Sequence, residues 1–214
     1  MNLQTEKYYW KKGYKTIIGL DEVGRGPLCG PVTTAAVIVN SKFQIKDKNF
    51  KEILKNARDS KKLSERQREK IFKLIQKCPN IKFAVSSVGP KTIDKINISN
   101  ATKKAMKNCL NKILPKRNPK KILILIDGNR ILDKNLKIRQ KAIVKGDDKI
   151  FSIALASNIA KVTRDRKMKK LSLQYPKYYF HQHKGYGTKL HKKLIKKYGP
   201  CKIHRLTYKP MSKS

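Results

Sequence analysis

A mixed α/β sheet covered by helices, with a small helical appendage at the C-terminal end, is the fold class the sequence predicts. Two apolar, β-branched runs, Thr16 to Leu20 and Val32 to Val39, flank the glycine-rich stretch Gly24 to Gly30 and read as strands joined by a sharp turn. Ile122 to Asp127, ILILID, is a continuous apolar run of the kind found in a strand buried on both faces. The order of elements, strands first and then strands alternating with helices, puts the helices on the faces of a mixed sheet.

Each further element follows from local signals. Ser64 starts a helix through Lys77, with Gln67 placed for a capping box and Ile71, Leu74 and Ile75 at helical spacing. Ile81 to Val88 alternates as a third strand. Pro90 opens a long helix to Leu114, which Pro115 and Pro119 end. After Ile122 to Asp127, Lys141 to Val144 is a weaker strand, and a helix is expected from about Asp148 to Leu171, closed by Pro176. Gly185 to Gly187 forms a loop, and a lysine-rich helix then runs to Tyr198 until Gly199 and Pro200 stop it. No internal repeat or low-complexity linker interrupts this order, so the chain reads as one folded unit.

The composition narrows the partners. The chain has 53 Lys and Arg against 14 Asp and Glu, a formal net charge of +39. Such a surplus points to a polyanion, above all nucleic acid, because phosphate neutralisation releases counterions. Charge alone gives a binder and no reaction. No stretch approaches the length of a membrane helix, and the first residues, MNLQTEKYYWKKGYK, lack the apolar core of a signal peptide. The expectation is a cytoplasmic protein with no membrane partner. Cys29, Cys78, Cys109 and Cys201 contain no C-x-x-C pair, which argues against a zinc site or a disulfide framework and for buried thiols.

In so cationic a chain the acids are the informative residues. Asp21 and Glu22 follow IIGL, Asp127 follows ILILI, and Asp147 follows AIVKG, so three strand ends each present a carboxylate. If those strands are neighbours, the carboxylates converge at the sheet edge where open sheets place their sites. Close like charges cannot all ionise without a cation. Oxygen ligands with no accompanying His or Cys suit Mg²⁺ or Mn²⁺, and two such ions about 4 Å apart clamp an in-line attack on a phosphodiester. The bland reading of Asp127-Gly128 alone is a turn, and it is the set of three that favours metal. Asp147 and Asp148 point about 100° apart on a helix, so one of them belongs to the site. Asp165, about 27 Å further along a continuous helix, reads as a structural ion pair.

Those residues resemble a known family. GLDEVGRGPLCGPV, Gly19 to Val32, is similar to the signature of ribonuclease HII, and the likeness continues in DSKKLS from Asp59, IDGN from Ile126, KGD, SNIAKVTRDRKM and HKGYGTKLH from His183, out to about Arg205. The resemblance implies a ribonuclease H-like mixed sheet flanked by helices, with boundaries of 1–15 for an N-terminal extension, 16–172 for the catalytic domain and 173–214 for a C-terminal helical extension and tail. It assigns catalysis and metal binding to Asp21, Glu22, Asp127 and Asp147, with two divalent ions, Mg²⁺ or Mn²⁺, per site; Asp148 is then an extra acid. Cys29 stands where Ala is usual, and Lys95, Ser99 and the run Ala154 to Asn158 also depart from the family's pattern.

Substrate recognition is expected at Gly24, Arg25 and Gly26, where glycine lets the main chain approach a ribose 2′-OH. Tyr186, between two glycines, is expected to stack on the substrate, and by resemblance on the deoxyribose 3′ of a ribonucleotide. Lys61, Arg164 and Lys184 are expected phosphate contacts, while His181, His183 and His191 receive no ligand role. The implied activity is hydrolysis of the RNA strand of RNA/DNA hybrids and of the phosphodiester 5′ to single ribonucleotides in duplex DNA, giving 3′-OH and 5′-phosphate ends. The chain is expected to work as a monomer, and its tail TYKPMSKS carries no sliding-clamp peptide. Two alternatives stand beside this: a lysine-rich, non-enzymatic nucleic-acid-binding protein, which explains the charge but not the strand-end acids, and another ribonuclease H-like nuclease, which has no need of a loop for the 2′-OH.

Overall fold

The computed structural model describes residues 1–39, 41, 47–115 and 119–212. Among these, five strands form one sheet: β1 Thr16–Val23, β2 Val32–Val39, β3 Ile81–Val88, β4 Ile122–Asp127 and β5 Arg139–Ile143. The order is β3-β2-β1-β4-β5, with β1 to β3 antiparallel and β4 and β5 parallel to β1. β1 is central, and its run TIIGL pairs residue for residue with ILILI of β4, from Thr16 opposite Ile122 to Leu20 opposite Ile126. Both runs are apolar on either side because helices cover both faces.

Side chains alternate across this sheet. Ile18, Leu20, Ile124 and Ile126 face helix α4, Pro90–Ile113, through Met106, Cys109 and Leu110. Ile17, Leu123 and Leu125 face the opposite layer with Ile150 and Ile153. That layer is built on helix α6, Phe151–Gln174, which lies close on β1 because Gly19 has no side chain. A Cβ there would sit 2.4 Å from the main-chain carbon of Ser152. Helices α2, Lys48–Asn56, and α3, Glu65–Gln76, extend the same core with Phe50, Ile53, Ile71 and Ile75. The capping box at Ser64 and Gln67 is present as the spacing predicts.

The departures from expectation have local causes. β1 runs on through Val23, so Asp21 and Glu22 lie inside the strand rather than past its end. The long α4 breaks at Asn97, whose φ of 62° takes it out of the helix and whose Oδ1 caps the second half by accepting from Asn100 N at 3.0 Å. The helix expected from Asp148 begins instead as a single turn, α5, Gly146–Lys149, and α6 starts afresh after the extended Ile150. An N-terminal helix, α1, Gln4–Lys11, had no clear sequence signal. It brings Glu6, fully buried, to accept from Ser152 N at 2.8 Å, which caps α6 from a distant part of the chain. α7, Phe180–His183, and α8, Lys189–Tyr198, pack beyond the far end of α6 through Tyr178, Phe180 and Leu194. No helix among the described residues is long and apolar enough to cross a membrane.

Candidate active site

The three strand ends expected to converge are adjacent. Asp21 on β1, Asp127 on β4 and Asp147 on the turn after β5 each place an oxygen within 4.8 Å of the others. Asp21 and Asp147 are both 5% exposed. The pleat explains the pairing: Asp21 and Asp127 continue the alternation Ile17, Gly19 and Leu123, Leu125, and so share the α6 face. Asp147 is brought up by α5, whose first amides fold over Asp127. Gly146 N and Asp147 N donate to Asp127 Oδ1 at 2.7 and 3.4 Å.

Glu22 points to the other face of β1 and is paired with Arg25 at 3.3 Å. It lines a groove of about 400 Å³ together with Arg25, Lys103, Asp127, Asn129 and Arg130. Asp148 stands outside the cluster, exposed and ion-paired with Lys62 at 2.6 Å. Asp165 is held by Lys161 at 3.0 Å and Arg68 at 3.9 Å, the ion-pair role expected of it.

Electrostatics mark the cluster as frustrated. Burial holds the Asp21 carboxyl well above the usual carboxylate range, and the charges of Glu22 and Asp127 push the same way. Burial also raises Asp127, helped by Asp147 and opposed by the amides of Gly146 and Asp147. Burial raises Glu22 against the pull of Arg25. Lys61 Nζ, 3.0 Å from Asp147 Oδ2, brings a positive charge to the group, and its own side chain is 77% exposed. Clustered oxygen-only donors, with Asp21, Glu22 and Asp127 raised in proton affinity, fit a hard divalent cation, which would replace the protons and the lysine as counter-charge.

One contributor lies in a run the family likeness covers, SNIAKVTRDRKM, but received no role from the sequence. Ser157, on α6 behind the acids, shares a 2.8 Å contact with Ser60 Oγ and draws the Asp21 carboxyl down against the stronger upward push of burial. Only the tertiary packing of α6 against β1 and of Ser60 against α6 brings these hydroxyls to the carboxylate.

The residues expected to touch substrate divide into three groups. Arg25 and Gly26 are exposed at the tip of the loop after β1. Tyr186 is exposed as well, its ring 5.8 Å from the guanidinium carbon of Arg164. Lys61 stands at the acid cluster, and Lys184 is half-buried with its ammonium donating to His181 O. Arg164 does not fit the phosphate contact expected of it. It is fully buried and gives its donors to the carbonyls of Pro31, Lys184 and Cys29, so it is a strut between the two loops. Gly24 makes room for it: with φ of 93°, a Cβ there would lie 2.2 Å from Arg164 Nε.

Comparison with known proteins supplies the family and an independent view of the fold. A profile of the family described as Ribonuclease HII matches residues 18–211. The ribonuclease HII of Caldicellulosiruptor bescii is 46% identical over 205 residues, covering 96% of this chain and 92% of that protein. That of Acetivibrio thermocellus is 48% identical over 203 residues, covering 95% and 73%. Among solved structures, the ribonuclease H2 of Pyrococcus horikoshii superposes with a TM-score of 0.72 at 27% identity, over 92% of this chain and 95% of that one. A ribonuclease HIII solved in complex with Mn²⁺ shares the fold, with a TM-score of 0.65 at 19% identity over 95% of this chain and 70% of that one.

Proposed function

The chain belongs to the ribonuclease HII family of ribonuclease H endonucleases, and from that premise we propose that it cuts the phosphodiester 5′ to single ribonucleotides in duplex DNA as well as RNA in hybrids, leaving 3′-OH and 5′-phosphate ends. The observation that carries this reading is the convergence of Asp21, Asp127 and Asp147 beside two exposed recognition elements, the Arg25-Gly26 loop tip and Tyr186. A cytosolic setting is consistent with four free cysteines.

Asp21, Asp127 and Asp147 would hold divalent metal, with Glu22 reaching in from the other face of β1. Two Mg²⁺ or Mn²⁺ ions, when bound, supply an acidified water and neutralise charge at the leaving oxygen. The protein's own residues supply order. The Glu22 amide holds Asp21 by a hydrogen bond, with Ser157 favouring its ionised form, and the amides of Gly146 and Asp147 fix Asp127. Lys61, next to Asp147 and largely in solvent, can follow the substrate phosphate once its carboxylate partner has another counter-charge.

Recognition of the 2′-OH follows from the direction of the loop's peptides. The carbonyls of Gly24 and Arg25 point inward to Arg205. In a trans peptide the N–H opposes the C=O, so the amides of Arg25 and Gly26 point outward. At Gly26 a Cβ would meet nothing within 4 Å among the described residues, which supports a ligand, rather than packing, as the reason for glycine. Tyr186 offers a ring for stacking on the sugar 3′ of the ribonucleotide. The lysine-rich, non-enzymatic alternative leaves the buried acids without a purpose.

The test is cleavage of a duplex with one embedded ribonucleotide beside an all-DNA control, with Mg²⁺, Mn²⁺ or chelator. A single metal-dependent cut 5′ to the ribonucleotide is expected. A cut elsewhere, or equal cutting of the control, would refute the reading.

A further inference from the structure

His204 and Arg205 are neighbours in the tail, and each reaches a different loop. Arg205 is fully buried, and its guanidinium donates to the carbonyls of Gly24, Arg25 and Gly30. The Tyr208 hydroxyl gives Arg25 O a second donor at 2.8 Å. The main chain reinforces the contact, with Arg205 N donating to Leu28 O and Gly30 N to Ile203 O, both at 2.9 Å.

The His204 side is a directed chain of hydrogen bonds. Its Nδ1 accepts from Cys201 N at 2.9 Å, so the neutral ring carries its proton on Nε2. That atom lies 3.1 Å from His191 Nε2, which must then accept. The His191 proton is thereby placed on Nδ1, 3.0 Å from the carbonyl of Tyr186. His183 stacks on His191 at 4.3 Å between centroids and donates from Nε2 to Tyr178 O, which closes the ring's remaining face. Cys29, His191 and His204 also lie close enough together to suggest a soft-metal site. The tautomers argue against one, because His204 presents a proton there and not a lone pair.

We propose that His204 and Arg205 together form the positioning element that sets the Gly24-Arg25-Gly26 loop and Tyr186 at one fixed separation, so that the enzyme reads a 2′-OH and the adjoining deoxyribose as a single unit. This rests on the roles of those two loops given above. Adjacent Cα atoms are about 3.8 Å apart, so neither arm can move without the other. Both arms are buried and end on main-chain carbonyls, which leaves the tip of the first loop and the Tyr186 ring free for substrate.

The test is a double-mutant cycle with kcat and KM on a single-ribonucleotide duplex and on an RNA/DNA hybrid, using His204→Phe, Tyr186→Ala, the double variant and Arg205→Lys, with thermal melting as the check on folding. His204→Phe keeps a ring but neither nitrogen. Its kcat should fall about tenfold on the single ribonucleotide, and it should add no further loss once Tyr186 is Ala. Arg205→Lys should lower cleavage of both substrates, since both present a 2′-OH. His191→Asn, whose amide can still donate to Tyr186 O, should retain more activity than His191→Ala. The same fold-loss from His204→Phe in the presence and absence of the Tyr186 ring would overturn the proposal. Wild-type cutting by Tyr186→Ala alone would instead refute the stacking role while leaving the Arg205 arm to be judged by its own variant.

Discussion

Asp21 and Asp127 project from the same face of two paired strands, each one residue beyond the Leu20–Ile126 pair of the ladder. Their oxygens approach within 4.8 Å. Replacing either by Asn should reduce cleavage to background while duplex binding persists, because removing a carboxylate takes no positive charge from the surface that meets phosphate. Asp147→Asn should be as damaging, and Asp148→Asn nearly silent, since Asp148 is exposed and paired with Lys62. Cleavage assays beside gel-shift binding check this, and near-wild-type cutting by Asp127→Asn would remove the metal assignment.

Metal binding should release protons. Burial and mutual repulsion raise Asp21, Asp127 and Glu22 above their ordinary carboxylate range. The metal-free fold therefore keeps protons that the unfolded chain has already lost, and its stability falls as pH rises through the raised values. Added Mn²⁺ should raise the melting temperature more at pH 8 than at pH 5.5, with buffer-dependent heats in calorimetry that report the displaced protons. A shift independent of pH would count against the carboxylates as ligands.

Ser157→Ala should weaken metal binding by about 10- to 100-fold with the fold intact, the usual cost of losing a group that orients a ligand. Its hydroxyl meets Ser60 and favours the ionised form of Asp21 only within the folded core. Metal titration of the variant, followed by melting, measures the effect, and unchanged affinity would make the serine a packing residue.

Salt and stacking probe the substrate side. Binding to any duplex should weaken with a log–log slope of about −0.9 for each phosphate neutralised, whereas the preference for a ribonucleotide should survive. Tyr186→Ala should lower cleavage at a single ribonucleotide by roughly tenfold to a hundredfold, more than it lowers binding to plain DNA.

Acid should loosen the tail before the sheet. His191 and His204 are pushed down to about 4 by burial, against about 6.5 in an unfolded chain. Between those values the unfolded segment takes up protons that the folded one refuses. The stability these rings contribute is therefore complete above about pH 6.5 and is lost as pH falls toward 4. Protection of the amides of residues 201–205 against hydrogen exchange, taken relative to the intrinsic rate at each pH, should fall over that window, and His204→Phe should flatten the dependence.

Much of this site was legible in the sequence because strands carry their meaning in order. ILILI before Asp127 and IIGL before Asp21 fix both burial and register, so the acids could be placed before any contact was known. Arg164 misled for the opposite reason. A helix of nearly uniform burial gives no periodic cue that one cation points inward, and only the left-handed Gly24 opposite it reveals the socket. The roles of Ser157 and Arg205 were silent because their partners, a serine hydroxyl and main-chain carbonyls, come from distant segments, and that of His204 because its imidazole and amide partners are set only by the fold of the tail. Glu6 was silent too, its partner amide lying 146 residues away.

The spread of the site along the chain also orders its appearance during synthesis. A nascent polypeptide that has released β1 and β2 has a hairpin and one acid cluster member; Asp127 and Asp147 arrive only after more than half the chain, and the arms of His204 and Arg205 come last. Chains that fold as they emerge build their N-terminal parts first. On the positioning role proposed above, a truncated product ending before residue 204 has its three carboxylates, the Gly24-Arg25-Gly26 loop and Tyr186, but not the arms that hold the two loops in register. The carboxylates of the site are thus in place before the segment that braces the Gly24-Arg25-Gly26 loop.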